Sequence, residues 1–211
     1  MKFKKLMAAV TTGVLAVTSL SLSGLIGSAE VQELMNDTFE SGYGAWKGVG
    51  SSLSLSTEQA HNGGTSLYCY DRTANWGAPR CSLTGIVAAG QSYEISASAM
   101  YEGSGQQNMA IKMIYTDANG TDHYDQVAAA QATAGQWVEI KGNYTVPSGA
   151  TDMILYVEMP DANTDQTYYI DDVVIKGEKT EIQLDDKFES DFDNNSTQKC
   201  CLLYTSDAAD D

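Results

Sequence analysis

Between residues 36 and 177 the chain alternates apolar and polar residues with a period of two, in ten short segments. Gly, Asn and Asp separate the segments, and no amphipathic window of helical period reaches three turns. Such a pattern is typical of antiparallel strands that bury one face each. It predicts an all-β fold, a two-sheet antiparallel β-sandwich of the jelly-roll type. The predicted strands are 36–40, 52–57, 66–71, 80–83, 92–101, 108–115, 122–129, 137–146, 152–159 and 167–175.

Alternation also assigns side chains to the face of the sheet that lies away from the core. In segment 152–159, Tyr156 and Glu158 lie opposite a row of four apolar residues. Tyr124 and Gln126 share one side of segment 122–129, with Val127 on the other. An outward carboxylate beside aromatic rings suits a sugar, which stacks on the rings and donates hydroxyl hydrogen bonds. The alternative is an ordinary solvated sheet face.

A tryptophan stands in the Gly- and Pro-containing connection 70–79, which also carries Arg72. Parity in segment 66–71 places Cys69 inward and continues the outward row to Arg72. The indole of Trp76 can lie against the C–H face of a pyranose. The alternative is an indole folded back over the core, since tryptophan is buried on average. Trp76 and Arg72 therefore join the candidate residues for glycan binding.

Catalysis by the same residues is not expected. Glycoside hydrolysis needs two carboxyl groups flanking the bond, one of them kept protonated. Asp161 and Asp165 follow Glu158 on a predicted loop, where water would keep them ionised. His61 and His123 have no Cys or His partners at the spacing of a transition-metal site. No nucleophile elbow, phosphate loop or dinucleotide motif is present.

Oxygen-bearing side chains stand in the first and last predicted strands. Thr38 and Glu40 lie on either side of Phe39, and Asp172 follows Asp171 in the last strand. The first and last strands of a jelly roll are often neighbours, so these oxygens could converge on a structural calcium ion. The alternative is the ordinary polarity of strand ends.

Cys69 and Cys81 have inward parity on two segments that are predicted to be adjacent. They form either a disulfide that closes the loop bearing Trp76, or two small buried thiols. The sequence alone does not choose between these alternatives.

The chain carries a formal net charge of −16. Residues 1–5 are basic, an apolar stretch follows, and Gly27, Ser28 and Ala29 are the small residues expected before a signal-peptidase cut. We expect a signal peptide over 1–29, a secreted extracellular protein and no membrane insertion after cleavage. Losing three lysines would leave a charge of −19. So acidic a surface excludes nucleic acid and anionic lipid as partners, but not neutral polysaccharide or divalent cations.

The C-terminal part is polar and acidic. Residues 30–177 are expected to form one domain, and 178–199 an acidic linker. Residues 200–211 are expected to be a disordered tail, which from Cys201 resembles a translated sequencing adapter. On that interpretation the chain is a fragment whose next domain is missing. The alternative is an ordinary disordered terminus. In either case Cys200 and Cys201 are not counted as a disulfide or metal framework.

Several motifs occur in the order found in carbohydrate-binding modules of the family 4/9/22 group, and they most resemble family 22, the xylan-binding modules of secreted xylanases. The motifs are Asp37-Thr-Phe-Glu40, Trp46, and the runs 60–67, 71–79, 144–152, 155–160 and 169–172. The resemblance implies a calcium-containing, galactose-binding-like jelly roll whose cleft binds xylan or mixed-linkage β-glucan.

Position by position, the resemblance assigns roles to the candidate residues. Trp76 and Tyr124 would stack on sugar rings, and Tyr156 and Glu158 would line the cleft and form hydrogen bonds. The calcium ligands would be Thr38, Glu40 and Asp172. The family commonly has a cleft arginine shortly after the tryptophan equivalent to Trp46, and here residues 47–50 contain Lys47 but no arginine. The choice among β-glycans is therefore open.

The family also implies a covalently attached catalytic domain, a family-10 glycoside hydrolase beyond the linker. We therefore expect a monomeric, non-catalytic module that targets an endo-1,4-β-xylanase to plant cell-wall polysaccharide. The alternative is a cell-surface adhesion or assembly domain of the same fold that binds a protein partner.

Overall fold

The computed structural model describes residues 30–178, and within that range the chain is all strand, turn and loop, without a helix. No membrane-spanning helix is therefore found there. The prediction of an all-β sandwich is confirmed. The eleven strands are β1 (Val31–Asp37), β2 (Lys47–Val49), β3 (Ser52–Ser56), β4 (Ser66–Tyr70), β5 (Ala78–Ser82), β6 (Ser92–Glu102), β7 (Gln106–Thr116), β8 (Asp122–Thr133), β9 (Val138–Thr145), β10 (Thr151–Glu158) and β11 (Thr167–Glu178).

The strands form two antiparallel sheets. The six-stranded sheet has the order β3-β4-β11-β6-β9, and β1 pairs with β11. The five-stranded sheet has the order β2-β5-β10-β7-β8. Strands that are distant in the sequence are neighbours in both sheets, such as β4 with β11 and β5 with β10. Loops from the N-terminal and C-terminal halves of the module therefore lie close together.

The core lies between the sheets and is built by the alternation seen in the sequence. In β10, Met153, Leu155 and Val157 are buried in it, followed by Met159 just past the strand. Tyr93 and Ile95 of β6 face them from the other sheet. Burying each such side chain contributes about 1.5–3 kcal/mol. The inward rows are thereby fixed, and the opposite faces of the strands are left for contact with solvent or ligand.

Two strands depart from expectation at the N-terminal end. β1 begins at Val31, five residues before the predicted start. The early part of the strand was missed because it is exposed and has no apolar alternation. β2 was not expected at all: its three residues are all exposed, and a glycine stands at the centre. At the other end β11 runs through Glu178, so a linker can begin only at residue 179. The expected signal peptide, the rest of the linker and the tail lie outside the described residues.

The two cysteines are not bonded to one another. Cys69 belongs to β4 in the six-stranded sheet and Cys81 to β5 in the five-stranded sheet. Both are free and buried. The expectation of adjacent strands was wrong because the chain crosses between sheets after β4. The second alternative, two buried thiols, describes the structure. Burial raises the pKa of Cys69, and burial with the nearby Asp37 carboxylate raises the pKa of Cys81 to about 11.

Candidate functional site

A cleft of about 490 Å³ lies on the outer face of the five-stranded sheet. It is lined by Val49, Trp76, Arg80, Tyr124 and Tyr156. Trp76 is 50 % exposed and Tyr124 is 61 % exposed, although both are large apolar side chains. The structure thus brings together the three aromatic residues that the sequence singled out in separate segments.

Strand register explains why these segments meet. One row of directly opposed residues crosses the sheet from Lys47 through Arg80, Tyr156 and Lys112 to Gln126. Neighbouring strands are about 4.8 Å apart, so five strands give a row about 19 Å long. The polar face can therefore contact several units of an extended polymer.

The buried side chain of Arg72 holds the loop that carries Trp76 in place. Its guanidinium donates to the carbonyls of Asn75 (2.5 Å) and Gly77 (3.0 Å) within that loop. It also donates to the carbonyls of Met159 and Asn163, both at 3.1 Å, after β10. One cation therefore ties two loops together.

The expectation that Arg72 contacts a ligand is not met, since the residue is only 4 % exposed. β4 ends at Tyr70, and Asp71 adopts a left-handed φ of +47°. The outward row of the strand therefore stops before Arg72, whose side chain turns inward. It stacks there over Tyr168, 5.7 Å from the ring centroid.

Arg80 sits between two aromatic rings of the cleft. Its guanidinium carbon lies 5.2 Å from the ring centroid of Tyr156 and 5.9 Å from that of Trp76. Both distances fall within the range of cation–π attraction. Burial, with the nearby Glu158 carboxylate, raises the pKa of Tyr156 to about 12, so its hydroxyl is a neutral hydrogen-bonding group at physiological pH.

Glu158 lies on the predicted face but does not line the cleft. The residue is 3 % exposed, and its Oε1 is 2.5 Å from Nζ of Lys112 on the neighbouring strand β7. The expectation of a solvent-facing carboxylate is corrected by this ion pair, in which Glu158 is buried. Gln126 is exposed on the same face opposite Lys112, outside the walls of the cleft.

A separate polar cluster surrounds the turn 61–65. Oε1 of Glu40 accepts the backbone N–H groups of Gly64 and Thr65, each at 2.9 Å. Asp172 Oδ2 contacts Nδ1 of His61 and the side-chain amide of Asn62, both at 2.6 Å. Two of the three predicted calcium ligands therefore converge on one turn.

Comparison with known proteins agrees with this geometry. Residues 32–167 match the family described as carbohydrate binding domain. The chain belongs to this carbohydrate-binding family. This carbohydrate-binding module resembles the C-terminal family 22 carbohydrate binding module of Clostridium thermocellum Xyn10B, with 32% identity and a TM-score of 0.64 over 71% of this chain and 97% of that one. It resembles the CBM22-1 xylan-binding domain of Paenibacillus barcinonensis Xyn10C equally closely, with 32% identity, a TM-score of 0.65 and the same coverage.

Among curated proteins, the module is 36% identical to endo-1,4-beta-xylanase A of Thermotoga neapolitana over 70% of this chain and 14% of that protein. It is 32% identical to a xylanase/beta-glucanase of Ruminococcus flavefaciens over 71% of this chain and 19% of that protein. The chain thus spans less than a fifth of these relatives.

The polar cluster of the carbohydrate-binding module has a composition that fits calcium. No group of three or more His, Cys, Asp or Glu side chains gathers at a metal-binding distance within residues 30–178. Calcium, however, also takes carbonyl and hydroxyl oxygens, which Thr38 could supply. Thr38 and Asp172 line one shallow depression. Phe39 (φ +59°) and Asp172 (φ +47°) both have left-handed backbones, a strained geometry that requires support from its surroundings.

Two cleft residues of the carbohydrate-binding module, Val49 and Arg80, were missed in the sequence. Arg80 could have been found, since it precedes the inward Cys81 and so has outward parity. Val49 could not, because the three-residue β2 carries no alternation from which to assign a face.

Proposed function

We propose that the module binds the backbone of xylan, or of a mixed-linkage β-glucan, in the cleft of the five-stranded sheet. The observation that carries the proposal is the exposure of Trp76 and Tyr124 in one cleft, whose floor includes the largely buried Tyr156. Large exposed aromatic surfaces are unfavourable in water and suit the C–H faces of sugar rings. The similarity to xylan-binding domains over most of the module supports the same ligand class.

The proposed binding is non-catalytic. None of the five cleft-lining residues is a carboxylic acid, and the nearest, Glu158, is buried in an ion pair with Lys112. A retaining or inverting glycosidase places two carboxyl groups on opposite sides of the scissile bond. This part of the chain therefore supplies recognition without acid–base groups.

The proposal extends to the role of the whole protein. The two relatives described above are a xylanase/beta-glucanase and an endo-1,4-beta-xylanase, each several times longer than this chain. We therefore infer that the module targets an attached xylanase to polysaccharide outside the cell. Secretion is supported by the basic and apolar pattern of residues 1–29.

A structural calcium ion is part of the same proposal. Glu40 and Asp172 would hold it together with oxygen from Thr38, next to the turn that both carboxylates already contact. The ion would support the left-handed residues Phe39 and Asp172. It would act on stability and not in the cleft.

Affinity electrophoresis through gels containing soluble xylan or mixed-linkage β-glucan tests the binding. We expect the protein to be retarded, and Trp76→Ala to weaken binding at least about tenfold, a loss of about 1.4 kcal/mol. Trp137→Ala is the matched control, since Trp137 immediately precedes β9 in the other sheet. Free mobility of the wild-type protein in both glycans would contradict the proposal. Recovery of a specific surface protein instead would support the adhesion alternative.

A further inference from the structure

The cations of the module are few, and most are already paired. Residues 30–178 contain nineteen Asp and Glu but only six Lys and Arg. Arg72 is buried beneath the Trp76 loop. Lys112, Lys141 and Lys176 pair with Glu158, Glu94 and Glu33, respectively. Arg72 is bonded to backbone carbonyls. Among the described residues, this leaves Lys47 and Arg80 as the cations with neither a carboxylate within 4 Å nor a set of buried carbonyl acceptors.

These two unpaired cations lie side by side at the cleft. Lys47 of β2 is directly opposite Arg80 of β5, and Arg80 is directly opposite Tyr156 of β10. Like charges directly opposite one another destabilise a sheet. In so acidic a chain a carboxylate could readily have neutralised them. Their arrangement leaves local positive charge beside the sugar-stacking rings.

The side chain of Arg80 is oriented but incompletely bonded. Trp76 and Tyr156 lie on its guanidinium at 5.9 and 5.2 Å, which restricts its rotation. Its Nε is buried and has no hydrogen-bond acceptor within residues 30–178. A buried donor without an acceptor is costly, so the bonding of this guanidinium is incomplete within the described residues. A guanidinium held in one plane is suited to bidentate pairing with a carboxylate.

We infer that Arg80, assisted by Lys47, binds a carboxylate carried by the glycan. The favoured ligand is then a neutral β-glycan backbone bearing isolated uronate substituents, such as glucuronate side groups. This inference rests on the proposed function, because the backbone must first stack on Trp76 and Tyr124. It adds a charged subsite between the rings of Trp76 and Tyr156.

The rest of the surface limits which anionic glycans bind. The described residues carry thirteen more acidic than basic side chains, so a polymer with a carboxylate on every sugar is repelled along its length. A single carboxylate next to Arg80 is attracted at short range, where salt screens least. The module should therefore reject polygalacturonate while preferring a sparsely substituted xylan.

Titration calorimetry with three oligosaccharides tests the inference on the wild-type protein. The ligands are xylohexaose, a xylo-oligosaccharide of the same length bearing one glucuronate, and that same compound after reduction of its carboxyl group to an alcohol. We expect the acid to bind about fivefold more tightly than its reduced form, the ratio for a partly exposed ion pair of about 1 kcal/mol. The ratio should fall as salt is raised.

Variants then assign the effect to residues. Arg80→Gln should bring the ratio of the two affinities close to one, and Arg80→Lys should leave an intermediate value. Lys176→Gln is the control, since it removes the same charge from the other sheet and should leave the ratio unchanged. The ratio of affinities for the acid and for its reduced form is measured within each variant. A general loss of affinity lowers both values and therefore leaves the ratio unchanged.

The outcomes separate the two proposals. Binding of none of the three ligands would overturn the proposed function. Equal binding of the acid and its reduced form by the wild-type protein would overturn the carboxylate subsite while leaving glycan binding intact. Tight binding of polygalacturonate would contradict the preference for isolated uronates. If Arg80→Gln does not fold, the wild-type comparison of the two ligands still decides the matter.

Discussion

The indole of Trp76 lies directly against the backbone of Gly50. A Cβ added at residue 50 would stand 2.6 Å from Cζ3 and 3.0 Å from Cη2 of the indole. The carbonyl of Gly50 also accepts the backbone N–H of Thr73 at 2.9 Å. The exposed tryptophan is therefore held by the turn between β2 and β3, and a glycine there sets how closely it approaches the sheet.

Gly50→Ala should displace Trp76 and weaken glycan binding. The φ of Gly50 is +63°, so alanine also adds a backbone cost of about 1–2 kcal/mol to folding. Gly85→Ala is the matched control, because Gly85 has φ +79° but no atom within 4 Å of its added Cβ. Affinity electrophoresis should show weaker retardation of the Gly50 variant than of the Gly85 variant. Equal retardation would contradict a positioning role for Gly50.

Arg72→Met should destabilise the module and, through the loop, weaken binding. Removing the guanidinium leaves the carbonyls of Asn75, Gly77, Met159 and Asn163 without this donor. A buried network of this kind is worth about 2–4 kcal/mol, which urea unfolding would measure. Arg72→Lys keeps the charge but cannot donate in the same fork, so it should recover only part of the loss. Wild-type stability of Arg72→Met would contradict the assignment.

Both core cysteines should be protected thiols. Iodoacetamide should label Cys69 and Cys81 only after denaturation, and without added reductant, since both are buried and unbonded. Peptide mapping by mass spectrometry distinguishes them from Cys200 and Cys201. Labelling that requires a reductant would show that a disulfide exists.

The inward rows could be predicted because burial acts on every second residue of a long strand. Ile95 of β6 and Leu155 of β10 follow that rule. The rule fails where the backbone leaves the extended region, as at Asp71, so the inward turn of Arg72 was not visible in the sequence. It also does not specify which sheet a strand joins, and Cys81 therefore lies in a different sheet from Cys69.

The aromatic residues of the site could be predicted, but their neighbours could not. Tyr156 is outward by parity, as is Glu158, yet only coordinates reveal that Lys112 lies beside Glu158 and pairs with it. Cross-strand partners depend on register, and register depends on bulges such as the one between Thr151 and Ile154 in the pairing of β10 with β7. Alternation alone does not contain that information.

The free energy of unfolding should fall at alkaline pH, whereas glycan binding should not change at pH values below that range. The pKa of Cys81 is about 11 and that of Tyr156 about 12, against ordinary values of 9.0 and 10.0. The unfolded chain therefore loses these protons first, so the contribution is complete below pH 9 and is lost as pH rises through 12. Urea midpoints should change little between pH 7 and 9 and decline by pH 10.5, and Cys81→Ala should reduce the slope of that decline. An unchanged slope in that variant would contradict the role of the thiol.

Chelation should lower the melting temperature if calcium binds at Glu40 and Asp172. An ion present at a hundred times its dissociation constant stabilises the folded state by about 2.7 kcal/mol. Glu40→Gln retains an oxygen that can accept from the N–H groups of Gly64 and Thr65, but it lacks the charge that attracts calcium. Its melting temperature should therefore be the same with calcium and with chelator, whereas Glu58→Gln should respond like the wild-type protein. Identical wild-type melting in calcium and in chelator would remove the metal from the proposal.

Retardation in xylan should survive chelation at low temperature, because the cluster is part of the six-stranded sheet and its loops, away from the cleft.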